Sequence, residues 1–233
     1  MIHYHGTPFT PHSERLKMAG LNFCVSFAHP ADAKWCMDHG QSVMWDNGAF
    51  SAYTKGKPLD VDKFYSWVEP KIGHPHWAVV PDKIDGTPAE NLELIMQWPF
   101  RRDCAMPVWH MHEPICQLLK LLDMGFKGVA FGSSGPYWQV GSEQWRRRAD
   151  EAFNSIHKAG PLPWVHMMRG LSLCGDRWPF ASADSANVAV NHSGSQRANA
   201  FCPERAARNI DKRQCPIRWH YHETQKGFFD EEV

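Results

Sequence analysis

The residues in this 233-residue chain best suited to chemistry are aspartates that close short apolar runs. Val43-Met44-Trp45-Asp46 leads into Asn47-Gly48-Ala49-Phe50, Val79-Val80-Pro81 ends on Asp82, and Ala181-Ser182-Ala183 ends on Asp184-Ser185. Taken singly, each is unremarkable in type: Asp-Asn-Gly is common turn chemistry, and Asp82 opens a loop towards Thr87. Three acids at equivalent strand ends are harder to dismiss, because a carboxylate withdrawn from water needs a partner or a task. Asp46 and Asp184 are the two on which the chemistry is expected to rest. Gly48 would let backbone approach a ligand closely. The stretch Val129-Ala130-Phe131-Gly132-Ser133-Ser134-Gly135 ends in a glycine-serine loop whose bare backbone can bond a flat heterocycle or an anion. Met167-Met168-Arg169-Gly170 closes another run; Met167 beside a planar ligand is one use of that residue and core packing is the commoner one.

Histidine gives a second pattern. The spacing H-x-H occurs at His3/His5, His74/His76, His110/His112 and His220/His222. On a strand, residues i and i+2 share a face, so such a pair can chelate a metal. His3, His5, His110 and Asp184 resemble part of the metal site of amidohydrolase barrels, although the run 128–132 offers no histidine where that family has one.

Periodicity and punctuation supply the elements that must position these residues. Strands are expected at Ile2–His5, Asn22–Phe27, Ser42–Asp46, Trp77–Pro81, Pro107–Met111, Gly128–Gly132, Trp164–Met168 and Phe180–Asp184. Helical patterns lie between them. Ser13 caps one reaching Gly20, Pro30-Ala31-Asp32 opens one ending near Gly40, and Asp60 precedes residues 61–67. Thr87-Pro88-Ala89-Glu90 is a capping box with proline at the first helical position. Pro114 to Gly125, Ser142 to Gly160 and Glu204 to Lys212 complete the series, and residues 171–178 are too few for a full helix. Eight βα units predict a compact (β/α)8 TIM-type barrel in a single domain spanning 1–233, with an irregular C-terminal extension from about residue 190. An open doubly wound sheet is the alternative. In a barrel, function belongs at the C-terminal ends of the strands.

Bulk composition narrows the class. Hydrophobic residues are 43% and charged residues 21%, which is globular usage rather than disordered or fibrous. Lys+Arg and Asp+Glu are both 25, which argues against a protein that coats DNA nonspecifically through bulk charge. Local basic stretches, Arg146-Arg147-Arg148 and Lys212-Arg213, remain. Eleven Trp and 13 Phe imply a heavy aromatic core, with stacking surfaces as the exception. Seven scattered cysteines without a C-x-x-C pair point to reduced thiols. The first residues lack a signal-peptide apolar region, and no apolar run approaches the roughly 18 residues of a membrane span. A cytoplasmic location is therefore expected, in the host cytoplasm if the chain is phage-encoded, with no membrane partner.

In their order along the chain, Asp46-Asn47-Gly48-Ala49-Phe50, Asp82, Val129-Ala130-Phe131-Gly132 and Ala183-Asp184-Ser185 resemble the tRNA-guanine transglycosylase superfamily. The short length and the start Tyr4-His5-Gly6-Thr7-Pro8-Phe9 are more similar to its DNA-modifying branch, the DpdA-type 7-deazaguanine DNA transglycosylases. The resemblance covers residues 2 to about 190. It implies a pentosyltransferase that replaces guanine in DNA with a 7-deazaguanine derivative, the partners being DNA and the free base. Asp184 would be the nucleophile and Asp46 the acid/base. Asp82 would accept from the base edge, backbone at Phe131 and Gly132 would read the opposite edge, and Phe50 or Met167 would pack on the ring. The tRNA enzymes' C-x-C-x-x-C plus His zinc site has no counterpart, so no cofactor is expected; Cys202, Cys215, His220 and His222 are the residues near the C-terminus that a zinc would have to use. The other readings are a metal-dependent amidohydrolase-like barrel, a nucleic-acid N-glycosylase, a tRNA-acting relative, and a non-catalytic nucleic-acid-binding barrel.

Overall fold

The computed structural model describes residues 1–9, 12–186, 188–189 and 202–221. The apolar runs form strands β1 (Ile2–Gly6), β2 (Asn22–Ser26), β3 (Ser42–Asp46), β4 (Trp77–Val79), β5 (Ala105–Met106), β6 (Val108–His110), β7 (Val129–Gly132), β8 (Val165–Met167) and β9 (Ser182–Ser185). Every pairing is parallel, in the order β5-β4-β3-β2-β1-β9-β8-β7-β6. Helices α1 (Ala33–His39), α2 (Ala49–Thr54), α3 (Val61–Val68), α4 (Pro88–Met96), α5 (Ile115–Leu122), α6 (Glu143–Ala159) and α7 (Pro203–Asp211) surround the sheet. The protein is a TIM-type α/β barrel.

The eight expected strands become nine because Ala105–Met106, just ahead of the expected fifth, forms a strand of its own that Pro107 separates from β6. Proline has no N–H to give to a ladder. Its carbonyl still accepts from the Ala130 N–H at 2.9 Å, while β5 pairs with β4 and β6 pairs with β7. The wall thus closes across a single residue. Some ends follow the expected chemistry: Thr87 and Glu90 form the reciprocal capping box of α4, and Ser142 accepts from the Trp145 N–H at the start of α6. Other elements differ. The stretch after Ser13 is a 3-10 helix, His12–Met18, and α2 starts directly at Gly48 without any side-chain cap.

Alternation along the strands divides the core in two. Tyr4, Cys24, Met44, Trp77, Val79, Met106, Val108 and Ala130 fill the barrel, and their alternates, among them Phe23, Val43, Trp45, Phe131 and Met167, pack outward in the helix-facing core. At the centre Trp77 Nε1–H donates to Tyr4 Oη at 2.8 Å, and Tyr4 Oη lies 3.2 Å from Ser42 Oγ, so the buried polar atoms are paired. Gly128 is required by the close approach of β7 to β8: a Cβ there would sit 2.0 Å from the Trp164 carbonyl oxygen. Among the described residues no helix is long and apolar enough to cross a membrane.

Candidate active site

Asp46, Asp82 and Asp184 line one cavity of about 240 Å³ at the C-terminal mouth of the barrel. Their positions follow from strand parity. Ser26 and Asp46 are register partners on β2 and β3, and Tyr4 and Asp184 are partners on β1 and β9; each pair points inward.

Asp184 is nearly buried and doubly held. The Arg169 N–H donates to its Oδ1 at 2.8 Å, and His166 Nε2 lies 3.2 Å from the same oxygen. His166 Nδ1 is 2.8 Å from Ser182 Oγ, which also accepts from Trp164 Nε1–H at 2.8 Å. A carboxylate only accepts, so Nε2 carries the hydrogen aimed at Asp184 Oδ1, and Ser182 Oγ, which takes the indole hydrogen, still has its own O–H to offer Nδ1. Both donors converge on Oδ1, which leaves Oδ2 to the cavity. Arg169 adopts a left-handed backbone, φ 56°, to deliver its N–H.

Asp46 sits in a different environment. Burial pushes its carboxyl up to about 6, with the charges of Asp184 and Asp82 adding to the effect; hydrogen bonds from the Ser26 side chain and the Gly48 N–H pull the other way. One site therefore holds a carboxyl that keeps its proton up to about pH 6 beside a second carboxyl fixed by two donors. Cys24, between them on β2, is raised well above its ordinary value by burial and by both aspartates, and stays a thiol.

Asp82 faces them from the loop after β4. Asn47 Nδ2 donates to its Oδ1 at 2.7 Å and to the Val80 carbonyl at 2.8 Å, while Asn47 Oδ1 accepts the Ala49 N–H at 2.8 Å. His110 Nε2 is 3.1 Å from Asp82 Oδ2. Burial lowers the His110 pKa, but the Asp82 carboxylate and the charge of Glu113 outweigh it, so the imidazole sits above its ordinary value. An ionised carboxylate has about four lone-pair sites, so Asp82 keeps acceptor capacity for a ligand edge.

Several expected positions need correction. Met167 packs in the outer core, and Met168, one residue on and so on the opposite face, lines the cavity. Phe131 also faces outward, against Trp109, Phe153 and Phe180, and its carbonyl accepts from the Met168 N–H; Gly132 and Ser133 are the residues of that segment at the cavity. A Cβ on Gly132 would lie 2.9 Å from Val108 and 3.3 Å from His110, so glycine keeps room for the imidazole. Gly48 does not line the cavity: it takes φ 79° at the start of α2 and donates its N–H to Asp46 Oδ2 at 3.3 Å. Phe50 does line it, under the Arg169 guanidinium at 4.0 Å from the ring centre.

The amidohydrolase-like set is not assembled. His3 and His5 point out of the barrel, where they lie 3.4 and 3.0 Å from Asp211 Oδ1 on α7, whereas His110 and Asp184 point in. Among the described residues one other group, His74, Asp103 and Cys104, brings three metal-ligating atoms together, but Asp103 is exposed and already engages Arg101 through both oxygens. Of the residues a zinc would use near the C-terminus, Cys215 is buried against the Leu173 carbonyl, Cys202 precedes α7, His220 is exposed, and His222 lies outside the described residues. The residues missed in the sequence are His166, Asn47, Ser26 and Arg169. Histidine as the central residue of β8 was the available signal for the first, since a basic side chain inside a barrel wall demands a partner.

Neither a protein-family model, nor a curated protein, nor a solved structure matches the chain.

Proposed function

We propose that this chain is a base-exchange enzyme that replaces guanine in DNA with a 7-deazaguanine base, through a covalent sugar intermediate on Asp184. The observation that carries the reading is the different setting of two carboxyls in one cavity: burial pushes Asp46 up to about 6, and Asp184 is anchored through Oδ1 by Arg169 and His166, with no donor on Oδ2 among the described residues. Asp184 Oδ2 attacks C1′ of the target nucleotide as the C1′–N9 bond breaks, and Asp46 gives its proton to the departing guanine. The incoming base loses a proton to Asp46, and its nitrogen displaces the aspartyl oxygen from C1′. Two inversions retain the configuration, as in retaining glycoside hydrolysis. Asp82, backed by Asn47 and His110, supplies acceptors for the N–H edge of the base, and Met168 and Phe50 border the ring. A cavity this small admits one nucleotide's base and sugar, so a target in duplex DNA has to be flipped out of its stack.

The test is incubation with DNA and radiolabelled guanine or 7-cyano-7-deazaguanine, with denaturing electrophoresis to trap the protein-DNA adduct. Label enters DNA with the wild type, and Asp184→Asn abolishes both label and adduct. Incorporation that survives Asp184→Asn removes Asp184 as nucleophile, and release of guanine without uptake of label makes water the acceptor and the protein an N-glycosylase.

A further inference from the structure

Beside the cavity runs an open trough of about 760 Å³ that shares Phe50, Ile84, Ser133 and Arg169 with it. Four aromatic side chains are exposed among the described residues, and three of them line this trough: Phe50 at 46%, Tyr53 at 49% and Trp138 at 71%. Flat rings left in water at one place, on a chain that buries most of its others, mark a stacking surface. We propose that the trough binds a nucleobase flanking the target in a single-stranded stretch of DNA, stacked on Trp138 and Tyr53. This rests on the base-exchange reading and names the form of its substrate.

Size, charge and continuity favour this occupant. The cavity is filled by one nucleotide, whereas the trough has room for a second planar group beside it. Every base has a π-face, so aromatic rings grip a neighbour without needing its identity. Arg169 is the cation at the junction, with its guanidinium 4.0 Å from the centre of the Phe50 ring, where the phosphate joining target and neighbour would pass. Asp85 also borders the trough, which directs a phosphodiester to the Arg169 side. Arg169 joins the two sites physically, because its side chain walls the trough while its N–H holds Asp184.

The experiment measures fluorescence anisotropy of a labelled, guanine-containing single-stranded oligodeoxynucleotide, and of the same strand with abasic sites on both sides of the guanine. The wild type binds the abasic-flanked strand about tenfold more weakly, a range typical of one lost stacking contact. Trp138→Ala binds the intact strand about tenfold more weakly and no longer distinguishes the two strands. Trp138→Phe recovers most of the affinity, and Tyr221→Ala, an exposed aromatic outside the trough, behaves as wild type. Trp138→Ala binding as tightly as the wild type, or more tightly, overturns the trough as a flanking-base site. So does discrimination against abasic flanks that persists in Trp138→Ala. A wild type that binds with this pattern but incorporates no labelled base supports the trough and overturns base exchange; a wild type that binds no single-stranded DNA overturns the trough.

Discussion

At the scale of single residues, the site separates its two carboxyls by environment, and the separation has measurable consequences. Because the first step consumes the Asp46 proton, kcat/KM for DNA falls as pH rises above about 6, and Asp46→Asn loses roughly 10²–10⁴-fold in rate along with that limb of the profile. The same shift bears on stability. The folded pKa lies above that of the unfolded chain, so folded Asp46 holds its proton between about pH 4 and 6 while the unfolded chain has released it, and stability declines as pH rises through that window. Asp46→Asn removes the decline, and chemical denaturation at pH 7 finds it more stable than the wild type by on the order of 2 kcal/mol. Behind Asp184, His166→Ala withdraws one donor from Oδ1 and lowers the rate of adduct formation about a hundredfold, with little change in DNA affinity. The three aspartates were legible in the sequence because each ends an apolar run. Their supports were not: Met167 and Met168 differ only in which face of the wall they occupy, and the link from His166 to Asp184 depends on the register of the neighbouring strands β8 and β9, which sets His166 opposite Ser182.

At the scale of elements, eight strands could be read because period-two apolar runs and turn residues coincide, and their spans shift by a residue or two. Strand β5, the two residues ahead of Pro107, went unread because it is set off from β6 only once the missing N–H of Pro107 has a ladder to interrupt. Helix α2 was missed because its start is a left-handed glycine rather than a capping side chain. Helix α7 is tied to β1 by Asp211. Burial raises that carboxyl, but hydrogen bonds from His3 and His5 and their charges outweigh it and hold it at about 2. A depressed pKa stabilises the fold above the unfolded value near 4, and the contribution disappears as pH falls from about 4 to 2. Asp211→Ala leaves two buried imidazoles without that acceptor, and its urea midpoint drops by an amount equivalent to about 1–3 kcal/mol. Gly128→Ala, whose Cβ has no space against Trp164, costs about 3 kcal/mol or prevents folding, read as the yield of cooperative unfolding.

At the scale of the whole molecule, 25 basic and 25 acidic side chains leave no net charge to attract a polyanion, and Arg169 is the one Lys or Arg lining the cavity or the trough. On the base-exchange reading, stacking therefore carries most of the grip on DNA. The plot of log affinity against log salt for a single strand has a slope of about −1 to −2, since each neutralised phosphate contributes about −0.7; a slope near −5 would place much of the DNA on basic residues outside the cavity and the trough. The joint at Pro107 bears on how the mouth of the barrel tolerates different ligands. Strands β2 and β3 are in register along their full five-residue lengths and carry Asp46, whereas β4 and β5 share two register positions beneath Asp82. On its β2 side the strand that carries Asp46 is thus paired along its whole length, while the wall beneath Asp82 is paired only briefly. Under the base-exchange proposal, such a wall holds Asp46 still while the rim beside Asp82 gives way to bases with dissimilar substituents.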